Sequence, residues 1–320
     1  MTEGDLEHRI QRLYARAGGA SSKVEVLDVF TDEVLEVGLH QLIEVRPSPM
    51  GDEALALPLV LSVPHAGVLI PNEFADRFPP GEHSLVEIDL FSHLLYERLP
   101  GPHVVCRVAP YFLDMNRGRS GADEPHVPHH LRNPPHEYYT VEDELILERP
   151  YTDDEAERVL RLYDLYHDLL DLMIRTQLRR HGRVLMIDGH SMTSVGLGRV
   201  HDEGEPRDNV VVGTLGGSSA DDAIIEAFVD TLRRGFDGHD LDITVATDVP
   251  YSGGFITRKH HDPSEEIHVM QVEVTMDTYM YESDTDDPAR RHTIKQYRLD
   301  VVRSVLADAV DAALRAYPNA

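Results

Sequence analysis

Five short polar clusters, each placed where an apolar segment ends, constrain this chain more than any other feature of its sequence. Four of them follow runs rich in β-branched residues, at positions 57–63, 104–108, 184–187 and 267–272, and such runs are typical of buried strands. Ligands of open α/β sheets bind in the crevice at the carboxyl ends of the strands. The pattern therefore predicts one site assembled from distant segments. The clusters are Val63-Pro64-His65-Ala66-Gly67, Asp114-Met115-Asn116-Arg117, Asp188-Gly189-His190-Ser191-Met192, Gly254-Phe255-Ile256-Thr257-Arg258 and Gln271-Val272-Glu273.

The order of strand-like and helix-like segments predicts the fold class. Strands alternate with helices, which is typical of an α/β fold with a mixed, mostly parallel sheet layered between helices. The predicted strands are residues 24–30 and 35–45, forming a hairpin at a sheet edge, then 57–63, 104–108, 184–187, 210–212, 243–246 and 267–274. The predicted helices are residues 5–16, 84–99, 152–180, 220–234 and 294–316.

Local signals predict where two of these helices begin and end. Thr152 and Glu155 form a capping-box pattern at the start of the long helix. Gly182 is placed to end that helix in a left-handed conformation. Ser219 is placed to cap the following helix.

Length and composition favour one large domain that does not cross a membrane. The 320 residues contain no repeat or linker, so we expect one catalytic domain, residues 1–320. No apolar run approaches the ~20 residues of a membrane span. Residues 1–10 lack the pattern of a signal peptide, so a cytoplasmic location is expected. The segment 118–150 is rich in Pro and His, and a loop this long is usually functional or mobile.

The surface is strongly acidic, with a formal net charge of -27 from 57 acidic and 30 basic side chains. Such a charge repels nucleic acid and anionic membranes, so neither is expected as a partner. A high-salt cytoplasm is the favoured explanation, and the alternative is a GC-rich genome combined with an ordinary acidic surface. The single cysteine, Cys106, excludes an intrachain disulfide and a Cys-rich zinc site.

Two histidines follow predicted strands and indicate a metal site. His65 lies in a predicted tight turn, and His190 lies beside Asp188 and Ser191, which are placed to hold it. Zinc accepts neutral imidazole, and catalytic zinc sites use about three protein ligands plus water. A lone histidine of this kind is more often a turn residue with a satisfied hydrogen bond, so the pair carries the hypothesis.

Asp89 is the best candidate for a third ligand, because no HExxH or HxxE pattern supplies one near the histidines. It lies at an acidic-to-apolar transition, in the segment Glu87-Ile88-Asp89-Leu90. The alternative is a carboxylate in the first turn of a helix, where the helix dipole favours it. The sequence leaves both interpretations open.

The remaining candidates are a buried carboxylate and a set of hydrogen-bond donors. Glu273 lies in an apolar predicted strand, where an isolated charge is costly. It is therefore either a general base beside a metal or the partner of an arginine across the sheet. Asn116, Arg117 and Arg258 match a small-molecule carboxylate, because arginine can bind it through two hydrogen bonds. Each arginine alone is more often a surface or structural residue.

Taken in their order along the chain, these motifs resemble those of the N-formylglutamate amidohydrolase family. The resemblance covers roughly residues 57–282, and residues 1–56 form an N-terminal extension before it. The resemblance implies a zinc-exopeptidase-like (phosphorylase/hydrolase-like) α/β fold, bound Zn²⁺, and hydrolysis of an N-acyl amide such as N-formyl-glutamate. It also implies that Asn116 and Arg117 meet a substrate carboxylate. The matching segments are Pro64-His65-Ala66-Gly67, Asp89, Leu113-Asp114-Met115-Asn116-Arg117, Asp188-Gly189-His190-Ser191-Met192, Gly254-Phe255-Ile256-Thr257-Arg258, His268-Val269-Met270-Gln271-Val272-Glu273 and Tyr279-Met280.

Some positions depart from the family pattern. The family usually has Ser where Ala66 stands and Cys where Gly189 stands, and residues 259–263 replace a His-Tyr-Gly-like stretch. The leading hypothesis remains a zinc-dependent amidohydrolase. The alternatives are a zinc carboxypeptidase or other N-acyl amino-acid deacylase, and a non-catalytic binding protein on the same fold.

Overall fold

The computed structural model describes residues 3–46, 55–78, 85, 87–120, 123, 133–137, 146–197, 202–239, 241–282 and 287–317. The helices are α1 (Glu3–Ala17), α2 (Leu39–Leu42), α3 (Ser92–Tyr96), α4 (Asp153–His181), α5 (Asp222–Asp237), α6 (Phe255–His260), α7 (Met276–Tyr279) and α8 (Gln296–Arg315). The strands are β1 (Lys23–Asp28), β2 (Glu33–Gly38), β3 (Ile43–Arg46), β4 (Leu59–Val63), β5 (Leu69–Pro71), β6 (His103–Cys106), β7 (Val184–Met192), β8 (Val210–Gly213), β9 (Val245–Thr247) and β10 (Ile267–Thr275). Among these described helices, none combines the length and apolar character needed to cross a membrane.

A seven-stranded sheet with the order β3-β6-β4-β7-β10-β8-β9 forms the centre of the molecule. The four strands β6, β4, β7 and β10 run parallel to one another. Strands β3 and β8 run antiparallel to β6 and β10, while β9 runs parallel to β8. This arrangement confirms the predicted fold class, a mixed and mostly parallel sheet.

Helices cover both faces of the sheet, as predicted. Successive side chains of a strand point to opposite faces. On β7, Asp188 is linked through Ser62 to Tyr166 of α4, whereas a Cβ on Gly189 would lie 2.6 Å from the Tyr96 ring of α3. Helices α4 and α3 therefore lie on opposite faces. Helix α8 packs on α3 and α5, and α1 packs on α4.

The long helix α4 begins and ends as its sequence predicts. The Thr152 hydroxyl accepts a hydrogen bond from the Glu155 N–H at 3.4 Å, and the Glu155 carboxylate accepts one from the Thr152 N–H at 2.8 Å. At the other end Gly182 takes a left-handed conformation with φ 72°, which costs glycine little because it lacks a Cβ.

Two predicted elements in the first part of the chain are wrong in extent. Helical spacing over 84–99 yields only the short helix α3, because Phe91 adopts a left-handed conformation with φ 61° immediately before it. The predicted strand 35–45 is interrupted by α2, and Ile43–Arg46 instead pairs with β6 in the main sheet. The predicted hairpin of β1 and β2 does form, and β5 extends it to a separate three-stranded sheet.

Two further predictions need correction. Strand β7 continues to Met192 instead of ending at position 187, so His190 belongs to the strand itself. Ser219 does not cap α5, whose N-cap is Asp221, because the Ser219 hydroxyl donates to the Val269 carbonyl at 2.6 Å. Most of the predicted loop 118–150 lies outside the described residues, at 121–122, 124–132 and 138–145.

Candidate active site

His65 is positioned by the end of strand β4 and by the tight turn that follows it. Strand β4 ends at Val63, and the chain then turns so tightly that a Cβ on Gly67 would lie 2.1 Å from the Arg107 carbonyl carbon. Only glycine fits this approach without displacing the backbone. The turn directs His65 toward Asp89, whose N–H donates to the His65 carbonyl at 3.1 Å.

His65, Asp89 and His190 offer three potential ligand atoms that all lie within 4.8 Å of one another. Asp89 Oδ2 lies 3.9 Å from His65 Nδ1 and 3.0 Å from His190 Nδ1. The two imidazole rings meet edge to face, with ring centroids 4.8 Å apart. Asp89 lies in a turn before α3, where its Oδ2 also accepts from the Ser191 N–H at 3.0 Å. The structure thus brings together the three residues predicted as metal ligands.

A carboxylate stands behind each imidazole, on the side away from Asp89. Asp114 Oδ1 lies 2.7 Å from His65 Nε2, and Asp188 Oδ2 lies 3.4 Å from His190 Nε2. Such carboxylates fix the tautomer of a ligating histidine, because they accept the proton on the nitrogen that faces away from the metal. Both Nδ1 atoms, which face Asp89, are then available to bind a cation.

Asp188 is itself held by a buried hydrogen-bonded chain that reaches helix α4. The Ser62 hydroxyl donates to Asp188 Oδ1 at 2.7 Å, and the Tyr166 hydroxyl lies 2.8 Å from Ser62 Oγ. All three side chains are fully buried. Asp188 Oδ2 has no hydrogen-bond partner among the described residues, so it remains available to a protonated His190 Nε2.

Glu273 lies beside His190 because strands β7 and β10 pair in parallel with these two residues in register. Its side chain is 5% exposed, and Oε1 accepts from Gln271 Nε2 at 2.5 Å. Burial raises the pKa of Glu273 to about 7, and Asp89 adds to the effect while His190 opposes it. A carboxyl group with this pKa can both accept and release a proton near neutral pH.

The electrostatics of the site favour positive charge beside its buried carboxylates. Burial alone would raise the pKa of Asp114, but His65 and Arg117 outweigh burial and hold that pKa below its usual range. Burial alone would lower the pKa of His190, but Asp188 and Glu273 outweigh it and raise that pKa well above its usual value. The buried carboxylates thus attract positive charge to the point between them.

Asn116 is locked in place between the histidines and the arginine-bearing loop. Its Oδ1 accepts from the Ile256 N–H at 2.8 Å, and its Nδ2 lies 3.2 Å from His190 Nε2. A Cβ on Gly254 would lie 2.1 Å from Asn116 Nδ2, so a larger residue there would displace the Asn116 amide. The Asn116 amide is therefore already engaged by the protein.

The candidate residues line one cavity of about 490 Å³, into which Arg117 and Arg258 also reach. Arg117 Nε donates to Asp114 Oδ2 at 3.1 Å, and Arg258 Nη1 donates to the Gly253 carbonyl at 2.9 Å. The cavity thus joins the three potential metal ligands, Glu273 and two guanidinium groups.

Sequence reasoning did not assign a role to several residues of this cavity. Two of them lie close to candidate residues in the sequence. Asp114 comes two residues before Asn116, and Gln271 comes two residues before Glu273 on the same face of its strand. Arg207 and Tyr251 gave no such signal, and the Arg207 guanidinium lies 5.2 Å from the centre of the Tyr251 ring.

The donor set fits a divalent cation, since imidazole nitrogens and a carboxylate oxygen are zinc ligands and three of them leave room for water or substrate. Fold and site together define the class: an α/β enzyme of hydrolytic type with a candidate metal centre.

A sequence model of the N-formylglutamate amidohydrolase family matches residues 57–280. The chain belongs to that family and is an amidohydrolase, which confirms the predicted resemblance.

Individual relatives agree with this assignment. N-formylglutamate deformylase from Pseudomonas putida is 25% identical over 240 residues, covering 71% of this chain and 84% of the relative. The structure of N-formylglutamate amidohydrolase from Ralstonia eutropha JMP134 superposes with a TM-score of 0.67 at 22% identity, covering 85% and 96% of the two chains. A gene product of Agrobacterium tumefaciens superposes with a TM-score of 0.53 at 18% identity, covering 83% and 95%. Both structures share the fold of this chain.

Proposed function

We propose that this protein hydrolyses the N-acyl amide of an acidic amino acid, such as N-formyl-glutamate, in a metal-dependent reaction. The convergence of His65, Asp89 and His190 beside Glu273 in one cavity carries the proposal. Family membership supports the substrate class, since the Pseudomonas putida relative is described as an N-formylglutamate deformylase.

His65 Nδ1, His190 Nδ1 and Asp89 Oδ2 would hold the metal, which we propose to be Zn²⁺. When bound, the metal polarises the acyl carbonyl and makes water more acidic. Asp114 and Asp188 hold the two imidazole rings in the orientation and tautomer that this requires.

Glu273 would carry a proton from the attacking water to the departing amine. As a carboxylate it accepts a proton from the attacking water, whose oxygen forms the new bond to the acyl carbon. The bond between the acyl carbon and the amide nitrogen then breaks, and Glu273 returns the proton to the departing amine. The products are a carboxylic acid, formate for an N-formyl substrate, and the free amino acid. A pKa of about 7 suits both transfers.

Arg117 and Arg258 would bind the carboxylate of the amino acid. Net charge repels an anionic substrate at long range, so a local pair of guanidinium groups is needed to hold it. Asn116 would hold the loop that carries Arg258, since its Oδ1 accepts from the Ile256 N–H of α6.

The proposal is tested by measuring formate release from N-formyl-glutamate with protein prepared with Zn²⁺ and with chelator-treated protein. We expect turnover only in the metal-loaded sample, restored when Zn²⁺ is added back. N-acetyl-glutamate and a dipeptide ending in glutamate, assayed in parallel, separate a formyl-amide hydrolase from other deacylases and from a carboxypeptidase. Equal activity with and without metal would refute metal dependence.

A further inference from the structure

A second, smaller cavity adjoins the active site and is here called the side pocket. It has a volume of about 110 Å³ and shares Thr193, Leu197 and Met276 with the main cavity. Its wall is mainly apolar. The apolar side chains are Leu85, Leu90, Val195, Leu197, Met276 and Met280.

The segments that carry the candidate site continue directly into the wall of the side pocket. Leu90 follows Asp89, Thr193 comes three residues after His190, and Met276 comes three residues after Glu273. The side pocket therefore opens from the main cavity along the same segments that carry the candidate site.

Arg117 and Arg258 line the main cavity but not the side pocket. Each Nδ1 faces Asp89, the neighbour of Leu90, whereas the Nε2 atoms face Asp114 and Asn116. Arg117 contacts Asp114 and lies on that second side. An amide with its amino-acid carboxylate on the arginines would leave the side pocket open to its acyl group.

Several polar groups of the side pocket are engaged with one another. Glu282 accepts from the Ser194 N–H at 3.0 Å and from the Ser194 hydroxyl at 2.5 Å. The Thr193 hydroxyl donates to the Val195 carbonyl at 2.7 Å. Val195 and Leu197 are only partly buried, at 38% and 36% exposed, so their apolar side chains are accessible to a ligand in the side pocket. The wall therefore favours an aliphatic ligand.

We infer that the side pocket binds the aliphatic tail of an acyl group longer than formyl. This inference rests on the proposed function and specifies its substrate class as N-acyl derivatives of acidic amino acids. The small volume of the side pocket, about 110 Å³, limits this tail to a short aliphatic chain.

The test compares N-acetyl-, N-propionyl-, N-butyryl- and N-octanoyl-glutamate with the metal-loaded enzyme. N-acetyl-glutamate is the reference, because formyl amides differ from alkyl amides in intrinsic reactivity. We expect kcat/KM to rise about fourfold for each methylene, equivalent to ~0.8 kcal/mol, up to N-butyryl-glutamate and to fall for the octanoyl chain.

Val195→Phe fills the side pocket and should remove most of the preference for N-butyryl- over N-acetyl-glutamate. Val195→Ala enlarges the pocket and should move the optimum to a longer chain, so the two variants shift specificity in opposite directions. Val34→Phe is the matched control, since it adds the same ring at a 57% exposed site on β2 and should leave the chain-length preference unchanged.

The outcomes separate this inference from the proposed function. Hydrolysis confined to N-formyl-glutamate, or a kcat/KM that falls from acetyl to butyryl, would overturn the inference alone. The inference would also be overturned if kcat/KM were higher for N-formyl-leucine than for N-formyl-glutamate while N-butyryl-glutamate showed no gain over N-acetyl-glutamate. The side pocket would then bind the side chain of the amino acid. Absence of hydrolysis with every N-acyl amino acid would overturn both.

Discussion

The two sides of the cavity are built differently. On one side, His190 and Glu273 belong to strands β7 and β10 and are 2% and 5% exposed, with His65 and Asp89 in tight turns beside them. The arginine side is carried by a loop after β6 and by the short helix α6, and the Arg117 side chain is 27% exposed. Rigid strands hold reacting groups more accurately than loops do, whereas loops vary more readily. The difference suggests that one side performs the chemistry and the other selects the substrate.

Glu273→Gln should have the largest effect, because it removes the proton carrier from the buried side. The substitution preserves the shape of the side chain and an acceptor for Gln271. General-base catalysis contributes about 10²–10⁴-fold, so we expect a loss of turnover of that size with metal content unchanged. Steady-state kinetics and metal analysis on the same sample check this, and near-normal turnover would exclude the assigned role.

The same substitution should stabilise the metal-free protein at high pH. The pKa of Glu273 is raised from 4.5 to about 7, so folding favours its protonated form. That stabilisation is present below pH 4.5 and is lost as the pH rises to about 7. Above pH 7, Glu273→Gln should therefore have a higher free energy of unfolding than the unchanged protein. Urea unfolding at pH 5 and pH 8 measures this difference, and a pH-independent difference would contradict the account.

Ser62→Ala tests the buried chain behind His190. Losing the hydrogen bond to Asp188 should weaken metal binding by up to about tenfold, because replacing the direct partner of a ligating histidine costs about 10–100-fold and Ser62 lies one step further out. Competition with a metal-binding dye gives the affinity. Ser219→Ala is the matched control, since its buried hydroxyl bonds a backbone carbonyl near the other end of β10. If both variants bound metal equally well, the chain would have no role at the site.

Arg117→Ala should affect substrate choice on the more exposed side. Removing a charged partner from a pocket costs about 2–5 kcal/mol, so kcat/KM should fall at least tenfold for substrates with a free carboxylate. Amide-capped analogues should lose much less. Arg119→Ala serves as the control, because Arg119 pairs with Asp164 and does not line the cavity. Equal losses on capped and free substrates would indicate that Arg117 supports the fold.

The buried side of the cavity was also the more predictable from sequence. His65, His190 and Glu273 follow or belong to apolar runs, and parallel strands bring their carboxyl ends to one edge of the sheet. Asp89 was harder, because the helical spacing of 84–99 did not reveal the left-handed turn at Phe91. A local backbone conformation of this kind is not encoded in hydrophobic periodicity.

Contacts that depend on the order of strands could not be predicted. Ser62 and Asp188 meet because β4 and β7 are neighbours in the sheet, and Tyr166 reaches them from a helix across one face. The departure from the family at Gly189 also has a structural reason, because the Tyr96 ring occupies the space that a side chain would need. Neither fact follows from residue spacing along the chain.

The central claim, that His65, Asp89 and His190 hold one metal ion, is tested most directly by calorimetric titration of metal-free protein with Zn²⁺. We expect one ion per chain for the unchanged protein, and loss of that binding in His190→Ala and Asp89→Ala. His239→Ala, which alters an exposed histidine outside the cavity, should bind one ion as before. Full stoichiometry and unchanged affinity in both His190→Ala and Asp89→Ala would contradict the claim.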